Sequence, residues 1–585
     1  MSAAIPINFV PHPGVYLTSA CFGNNIYDNA AAGRCVSNLL ASQLRRYVID
    51  LYWDVANRRF SLCPVELPTS SATVSSTTGP ARQATNATLQ SATDTTPTVS
   101  QGSSSAYQIT STTAAVSAAT SSVALDTSNG RTLFQIGRYQ CSNTLSLQGI
   151  LSVFRDYTID TSDTTQAKLS IVVINLHVAA TASNSTSSNR TLETSQLPNA
   201  EQSVRILFGE LDGLLYKPNA LLSDRQSLNA SWFRRPVIGS SPASTYYSLY
   251  TASNGDLATT DGWPDESFVQ RVRGKRILVG YGSVDDSLRN YNISGDGDRI
   301  FSPGYLVSER GVSLNNDGAL SRGCFYDSNT YDHRPLNNSW AVTSINTISP
   351  PILGDAADNL TTCGISPILN VTIANQTADT SPSPYQDFGN NAVFSWAYGQ
   401  PQNDSNANTD SASKFRCALM VSNDAFCGHW RVEYCNSRYR VACRDSANPY
   451  LWTLSTTKVD FNSASAACPT SNFDLPRTGL ENAYLHNLIT LNARDDSSLL
   501  DGVWINLNAL RVENCWITTG PNGTCPYYQS ADAVYSRQIL IPTLAAFIVL
   551  ILTALTILVK CSNNARDSRK VRRGDGGWDY EGVPS

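Results

Sequence analysis

The chain has 585 residues, 41% of them hydrophobic, which exceeds what one core accommodates and makes two or more folded units the default. A net charge of −5 and a pI near 5.6 exclude the basic footprint of a nucleic-acid-binding domain. The one dense run of positive charge lies at the C-terminal end, where it suits membrane topology and lipid headgroups.

The N-terminal stretch MSAAIPINFVPHPGVYL lacks the basic start and apolar core of a signal peptide. Either a later span directs translocation, or the natural start lies upstream; early entry to the secretory pathway favours the second. Short apolar runs then alternate with helical patterns. Strands are predicted at Gly14–Ala20, Tyr47–Trp53, Leu169–Val178 and Arg276–Tyr281, the third so continuously apolar that both its faces must be covered. Helices are predicted through Val36, Leu39, Leu40 and Leu44, through Val204, Leu207, Leu211 and Leu214, and through Phe268 and Val272. This alternation over residues 1–67 and 131–350 predicts an α/β fold with a parallel sheet, open or closed into a TIM-type barrel, the barrel being preferred. Residues 68–130 interrupt it with Ser, Thr and Ala and few large apolar residues, and are predicted to be a disordered insertion.

After about residue 380 the composition shifts toward Trp, Cys, Asn and Gly, which predicts a second, disulfide-rich α+β domain over 380–530. Residues 539–559 form an uncharged apolar run of roughly 31 Å as a helix, enough to cross a bilayer. Lys560, Arg566, Arg569, Lys570, Arg572 and Arg573 follow it, whereas residues 525–538 hold only Asp532 and Arg537. The positive-inside rule therefore predicts a cytosolic tail, 560–585, and a lumenal or extracellular remainder: a single-pass type I topology. Eleven N-x-Ser/Thr sequons agree, all preceding the span: Asn86, Asn184, Asn189, Asn229, Asn292, Asn337, Asn359, Asn370, Asn375, Asn403 and Asn522. So do the cysteines, of which thirteen precede the span and only Cys561 follows it, as in an oxidising compartment. An odd count leaves one thiol free or paired outside the chain, and Cys561 is a candidate for palmitoylation.

The segment YVIDLYWDVANRRFSLC (47–63) carries the first chemistry. Alternate strand residues share a face, so Asp50 and Tyr52 point together and Asp54 follows in the loop, at the strand end where barrels keep acid–base or metal-binding groups. Together with GVYLTSAC (14–21), the helix ending Gln43-Leu-Arg-Arg, and later Ser170–Leu176, Tyr216-Lys-Pro-Asn-Ala-Leu-Leu and Gly274-Lys-Arg-Ile-Leu-Val, it resembles phosphatidylinositol-phospholipase-C-like phosphodiesterase barrels. The resemblance implies a general-base and a general-acid histidine. Their positions fall near Ser19–Cys21 and Leu62–Cys63, where this chain has none; its five histidines are His12, His177, His333, His429 and His486. An enzyme would have to work with Asp50, Asp54 and His177. The alternative, a non-catalytic binding barrel in which His177 is structural, is preferred, with neither cofactor nor metal.

In the second domain, WAYGQPQN (396–403), Cys417, Trp430, Cys435 and Arg440-Val-Ala-Cys443 resemble the latter half of a C-type lectin-like domain. Phe461–Cys468, Leu475-Pro, Glu481-Asn482 and Val503-Trp-Ile-Asn-Leu507 resemble the first half. Two degenerate modules in tandem or one permuted module both fit. Cys417–Cys435 and then Cys515–Cys525 are the foremost candidate disulfides. Calcium-dependent sugar binding in that family needs hard oxygen donors, but the turn here is Gln400-Pro401-Gln402 and the second element Trp430-Arg431-Val432, where Arg and Val donate no oxygen, which predicts no calcium site. Core roles are preferred for Trp396, Trp430 and Trp504, with a glycan, lipid headgroup or protein as possible ligand. The whole arrangement, beginning IPINFVPHPGVYLTSACFGNNIYD, resembles the fungal maintenance of telomere capping protein 6 family. That implies a type I membrane protein linked to telomere capping, an indirect link for a lumenal ectodomain that meets no nucleic acid.

Overall fold

The computed structural model describes residues 5–68, 123–127, 131–162, 167–181, 191–233, 244–328, 336–346, 352–402, 415–523, 525 and 531–570. Contacts divide the chain into a unit spanning Met1–Asn506 and another spanning Leu507–Ser585.

Seven parallel strands form the core of the first unit: β1 (Gly14–Tyr16), β2 (Arg46–Asp54), β3 (Ser170–Val178), β4 (Ile277–Val284), β5 (Ser308–Glu309), β6 (Ala341–Ile345) and β7 (Ser366–Leu369). Their spatial order is β4-β3-β2-β1-β7-β6-β5, so β1 pairs with both β2 and β7 and the sheet curls round on itself. Among the described residues no ladder joins β4 to β5; the free edge of β4 is met by isolated bridges, Leu215 to Ile277 and Gly280 to Phe301. The last strand, β7, lies beyond residue 350, where the sequence pattern placed the end of this domain.

Alternation assigns the two faces. On β2 the outward residues Tyr47, Ile49, Leu51 and Trp53 join Val172, Ile174 and Leu176 of β3 in a core beneath the helices. The inward residues Val48, Ile171, Val173, Leu278, Val342 and Ile368 form a separate core inside the barrel. Each such aliphatic side chain contributes about 1.5–3 kcal/mol on burial. Helices α1 (Leu17–Phe22), α2 (Asn29–Ala41) and α3 (Leu147–Asp160) cover the outer face. Asp28 caps α2 through Ala30 N and Ala31 N, and Ser146 caps α3 through Gly149 N.

The strand predicted at Gly14–Ala20 ends at Tyr16 and turns into α1. From Leu17 the buried positions are Leu17, Ala20, Cys21 and Phe22, and the step of three to four from Leu17 to Ala20 and Cys21 fits a helix face better than a strand. The helix predicted through Val204–Leu214 is broken into Val204–Leu207 and a tighter turn at Gly209–Leu211. Most of the Ser/Thr-rich insertion lies outside the described residues; its end, Val123–Thr127, is a strand that pairs with Arg131–Ile136.

Residues 396–508 contribute β8 (Phe415–Met420), β9 (Trp430–Tyr434), β10 (Arg440–Arg444), β11 (Trp452–Leu454), the helix α4 (Gly479–Asn492) and β12 (Val503–Asn508). The sheet order is β9-β8-β12-β10-β11. Strand β12, from the later segment, lies between β8 and β10 from the earlier one. Both segments thus build one sheet, and the region is one module rather than two in tandem.

Six disulfides join Cys21–Cys35, Cys63–Cys141, Cys324–Cys363, Cys417–Cys435, Cys443–Cys468 and Cys515–Cys525. Cys427 and Cys561 are free and exposed. The second unit holds the helix α5 (Ala531–Lys570), whose segment Pro542–Ser562 is exposed, apolar and long enough to cross a membrane. With the disulfides, it fits a single-pass membrane protein.

Two glycines test the packing. A Cβ on Gly282, inward on β4, would lie 2.3 Å from Asn175 Oδ1 and 2.8 Å from Val173 Cγ1, whereas one on Gly33 in α2 meets nothing within 4 Å. Gly282→Ala should destabilise the detergent-solubilised chain by about 1–3 kcal/mol through overpacking. Gly33→Ala should stabilise it by roughly 0.5–1 kcal/mol through helix propensity. Chemical denaturation of the two variants beside the wild type checks both signs.

Candidate functional site

The carboxyl ends of the parallel strands bring polar groups to one mouth. In the β2–β3 register Asp50 lies opposite Asn175 and Tyr52 opposite His177. His177 is held at both ring nitrogens, with Nδ1 3.0 Å from Asp285 Oδ1 and Nε2 3.5 Å from Asp50 Oδ1. Asp285 follows β4 directly, its amide donating to Leu176 O (2.9 Å) and its second oxygen accepting from Val178 N (3.3 Å). Asp50 also accepts from Asn175 Nδ2 (2.9 Å) and from the Thr18 hydroxyl, and Asn175 Oδ1 accepts from Ser283 N (2.9 Å). The Tyr52 ring stacks on the imidazole with centroids 5.2 Å apart.

Electrostatics follow from this geometry. Burial by itself would lower the His177 pKa, but the hydrogen bonds and charges of Asp285 and Asp50 outweigh it and raise the value to about 9. Burial works against the Asp50 carboxylate, yet bonds from His177, Thr18 and Asn175 hold its pKa below the ordinary value. At neutral pH the cluster is an imidazolium between two carboxylates. Such a ring has no lone pair with which to take a proton from a hydroxyl, so it is a poor general base.

Asp54 is not part of this cluster. Its buried carboxylate accepts from Asn57 N (3.0 Å), Asn57 Nδ2 (2.8 Å) and Leu67 N (3.1 Å), fastening the hairpin after β2. It is the last residue of β2, four positions after Asp50, and its bonds to Asn57 and Leu67 commit it to the hairpin. The segments where the phosphodiesterase resemblance places histidines are tied down. Ser19 Oγ donates to Asn370 Oδ1 (2.9 Å), and Cys21 and Cys63 are buried disulfide partners. Asp285, Asn175 and Thr18 escaped the sequence reading. Asn175 left a trace, as a polar residue two positions before His177 in an apolar strand; Asp285 left none, since only folding brings it to His177.

In the second module Gln400 Oε1 is occupied by Val432 N (3.1 Å), and Arg431 pairs with Glu433 (3.1 Å). Trp430 and Trp504 are fully buried and Trp396 is half-buried. Of the sequons, Asn229, Asn292, Asn337, Asn375 and Asn522 are exposed. Asn359 and Asn370 are half-buried, their amides donating to Gly318 O (3.2 Å) and Asn346 Oδ1 (2.9 Å). Asn86, Asn184, Asn189 and Asn403 lie outside the described residues. Among the described residues no three His, Cys, Asp or Glu side chains are arranged to hold a metal.

Residues 1–386 match the family model described as the MTC6 partial TIM-barrel domain, which spans the whole curled sheet. The chain belongs to the maintenance of telomere capping protein 6 family. A protein of that name from Candida albicans (strain WO-1) is 24% identical over 648 residues, covering 100% of this chain and 93% of its own. One from Lachancea thermotolerans is 24% identical over 460 residues, 75% of this chain and 79% of its own. One from Zygosaccharomyces rouxii is 28% identical over 213 residues, 34% of this chain and 41% of its own. No solved structure gives a significant match.

Two outcomes follow. A folded-state pKa of about 9, against 6.5 for the free side chain, means the His177 contribution to stability is full below pH 6.5. It is lost as pH rises through about 9. The gap in melting temperature between wild type and His177→Gln should therefore be widest near pH 6 and narrow steadily in alkali. Asp54→Ala should cost about 1–3 kcal/mol by leaving buried donors unpaired, with the mouth intact by histidine NMR titration.

Proposed function

We propose that this protein is a single-pass type I membrane glycoprotein of the secretory pathway whose barrel binds a ligand without turning it over. The observation that carries the non-catalytic reading is the exchange at the mouth. Buried cystines at Cys21 and Cys63 occupy the segments where a phosphodiesterase would hold its histidine pair, and the one histidine there among the described residues is clamped as an imidazolium. The topology is supported by the apolar helix, the basic residues after it, the sequons before it and six disulfides. The second module is read as C-type lectin-like with its halves exchanged, and as calcium-free, because Gln400 is already bonded and Arg431 brings a positive charge. It offers a surface for a glycan, a lipid headgroup or a protein. The telomere-capping role in the relatives' name is carried over as an indirect one, since a lumenal ectodomain does not touch chromosome ends.

A second reading has one observation in its favour: Asp50, His177 and Asp285 converge at the strand carboxyl ends, where barrel enzymes work. It is a membrane-anchored phosphodiesterase for phosphoinositide or glycerophosphodiester substrates, with Asp50 and His177 as its acid–base pair. The purified chain should show no hydrolysis of either substrate class, with or without divalent metal. Turnover abolished by Asp50→Ala would instead establish the enzyme. Endoglycosidase treatment should lower the apparent mass of the cellular protein; an unshifted band would remove the lumenal assignment.

A further inference from the structure

Small parallel barrels ordinarily fill their interior with layers of inward side chains. Here the interior keeps a cavity of about 310 Å³. Its wall is aliphatic, from Val48, Val173, Val307, Val342 and Ile368. Tyr16, Asn175 and Ser344 give it polar groups toward the mouth, where Asn175 also bonds Asp50.

The cavity exists because the barrel is incompletely sealed. Gly282 on β4 and Gly304 in the connection to β5 line it without side chains, and nothing lies within 4 Å of a Cβ built on Gly304. Strand β5 has only two residues, and no ladder joins it to β4.

At the opposite end from Asp50 the cavity reaches Arg46, the first residue of β2. Arg46 is only 2% exposed. One terminal nitrogen donates to Leu306 O (3.0 Å) and the guanidinium lies over Trp340, 5.1 Å from the ring centroid. Its Nε has no partner. Among the described residues no carboxylate stands within ion-pairing distance; Glu309, exposed on β5, attracts it from farther off and also borders the cavity. A buried guanidinium without a counter-ion is costly, and an anion delivered beside it would offset that cost. The mouth offers no such welcome, because Asp50 and Asp285 outnumber His177 there.

We propose that the barrel interior binds a small aliphatic monocarboxylate, its acid group on Arg46 and its hydrocarbon body along the valine wall. The inference deepens the reading of the barrel as a binding vessel. A planar carboxylate can meet Nε and the neighbouring terminal nitrogen together along one edge of the guanidinium. At the ~30 Å³ that a water molecule occupies in the liquid, the space holds roughly ten heavy atoms, the size of an eight-carbon acid.

The test uses the full chain in zwitterionic nanodiscs, with empty discs as blank, titrated calorimetrically with octanoate and with 1-octanol. Octanoate should bind one to one and at least tenfold tighter than octanol. Arg46→Met should bring octanoate down to the octanol level and leave the melting temperature of the unliganded protein unchanged or higher. Val342→Phe, which fills the wall, should abolish binding of both while the near-ultraviolet circular dichroism stays native. Equal affinity for the two probes, no octanoate binding by folded wild type, or retained binding in either variant would overturn the proposal. Phosphodiester hydrolysis that depends on Asp50 would sink the non-catalytic reading separately, since it is read without octanoate.

Discussion

The pairing of β2 with β3 is the constraint on which the rest of the barrel depends. The two nine-residue strands run parallel without a shift in register from Arg46↔Ile171 to Trp53↔Val178. Because side chains alternate, this one ladder sends Tyr47, Ile49, Leu51 and Trp53 to the helices and Arg46, Val48, Asp50 and Tyr52 to the interior. A slip of one residue would bury both ends of the charge pattern under α2 and α3. The helical layer, the interior cavity and the mouth are three consequences of the same register.

The polar groups inside the barrel are arranged by depth. At the mouth, one imidazolium is shared between two carboxylates, and every hydrogen-bonding edge of the cluster is met by Thr18, Asn175 or backbone. Such an arrangement fixes conformation and holds its proton tightly, which suits recognition better than proton transfer. Deeper in, Arg46 has the reverse problem, a charge with no opposite. Gly282 on β4 and Gly304 in the connection after it leave the space between them open.

The second module is fastened to the barrel through a buried acid. Glu481 accepts from Tyr246 OH (2.7 Å) on the barrel side and from Arg477 N (2.8 Å), with Arg444 3.7 Å away and itself bonded to Asp474 (2.6 Å). Burial raises the Glu481 pKa, with Arg444 and Tyr246 opposing the rise. Its neighbour Asn482 accepts from Trp430 Nε1 (2.9 Å). The Glu-Asn pair that resembles a lectin motif therefore serves the core and the junction between the modules.

Periodicity along the chain was enough to reveal β2, β3, β4 and α2, the apolar helix near the C-terminus, and the shared face of Asp50 and Tyr52, because each depends on residues close in sequence. Lopsided charge and sequons were likewise legible as composition. The sequence missed α3 and the short strands β5 to β7, whose two to five residues carry too little pattern to stand out. Nor did it show that the Asp54 carboxylate fastens its own hairpin, because that role depends on Asn57 and Leu67 folding back onto it. How the segments of the second module pair, that Asp285 reaches His177, and that Arg46 meets no carboxylate among the described residues were decided only by the tertiary structure. Those are relations between residues 52 to more than 100 positions apart, and only closure of the sheets brings them within bonding distance.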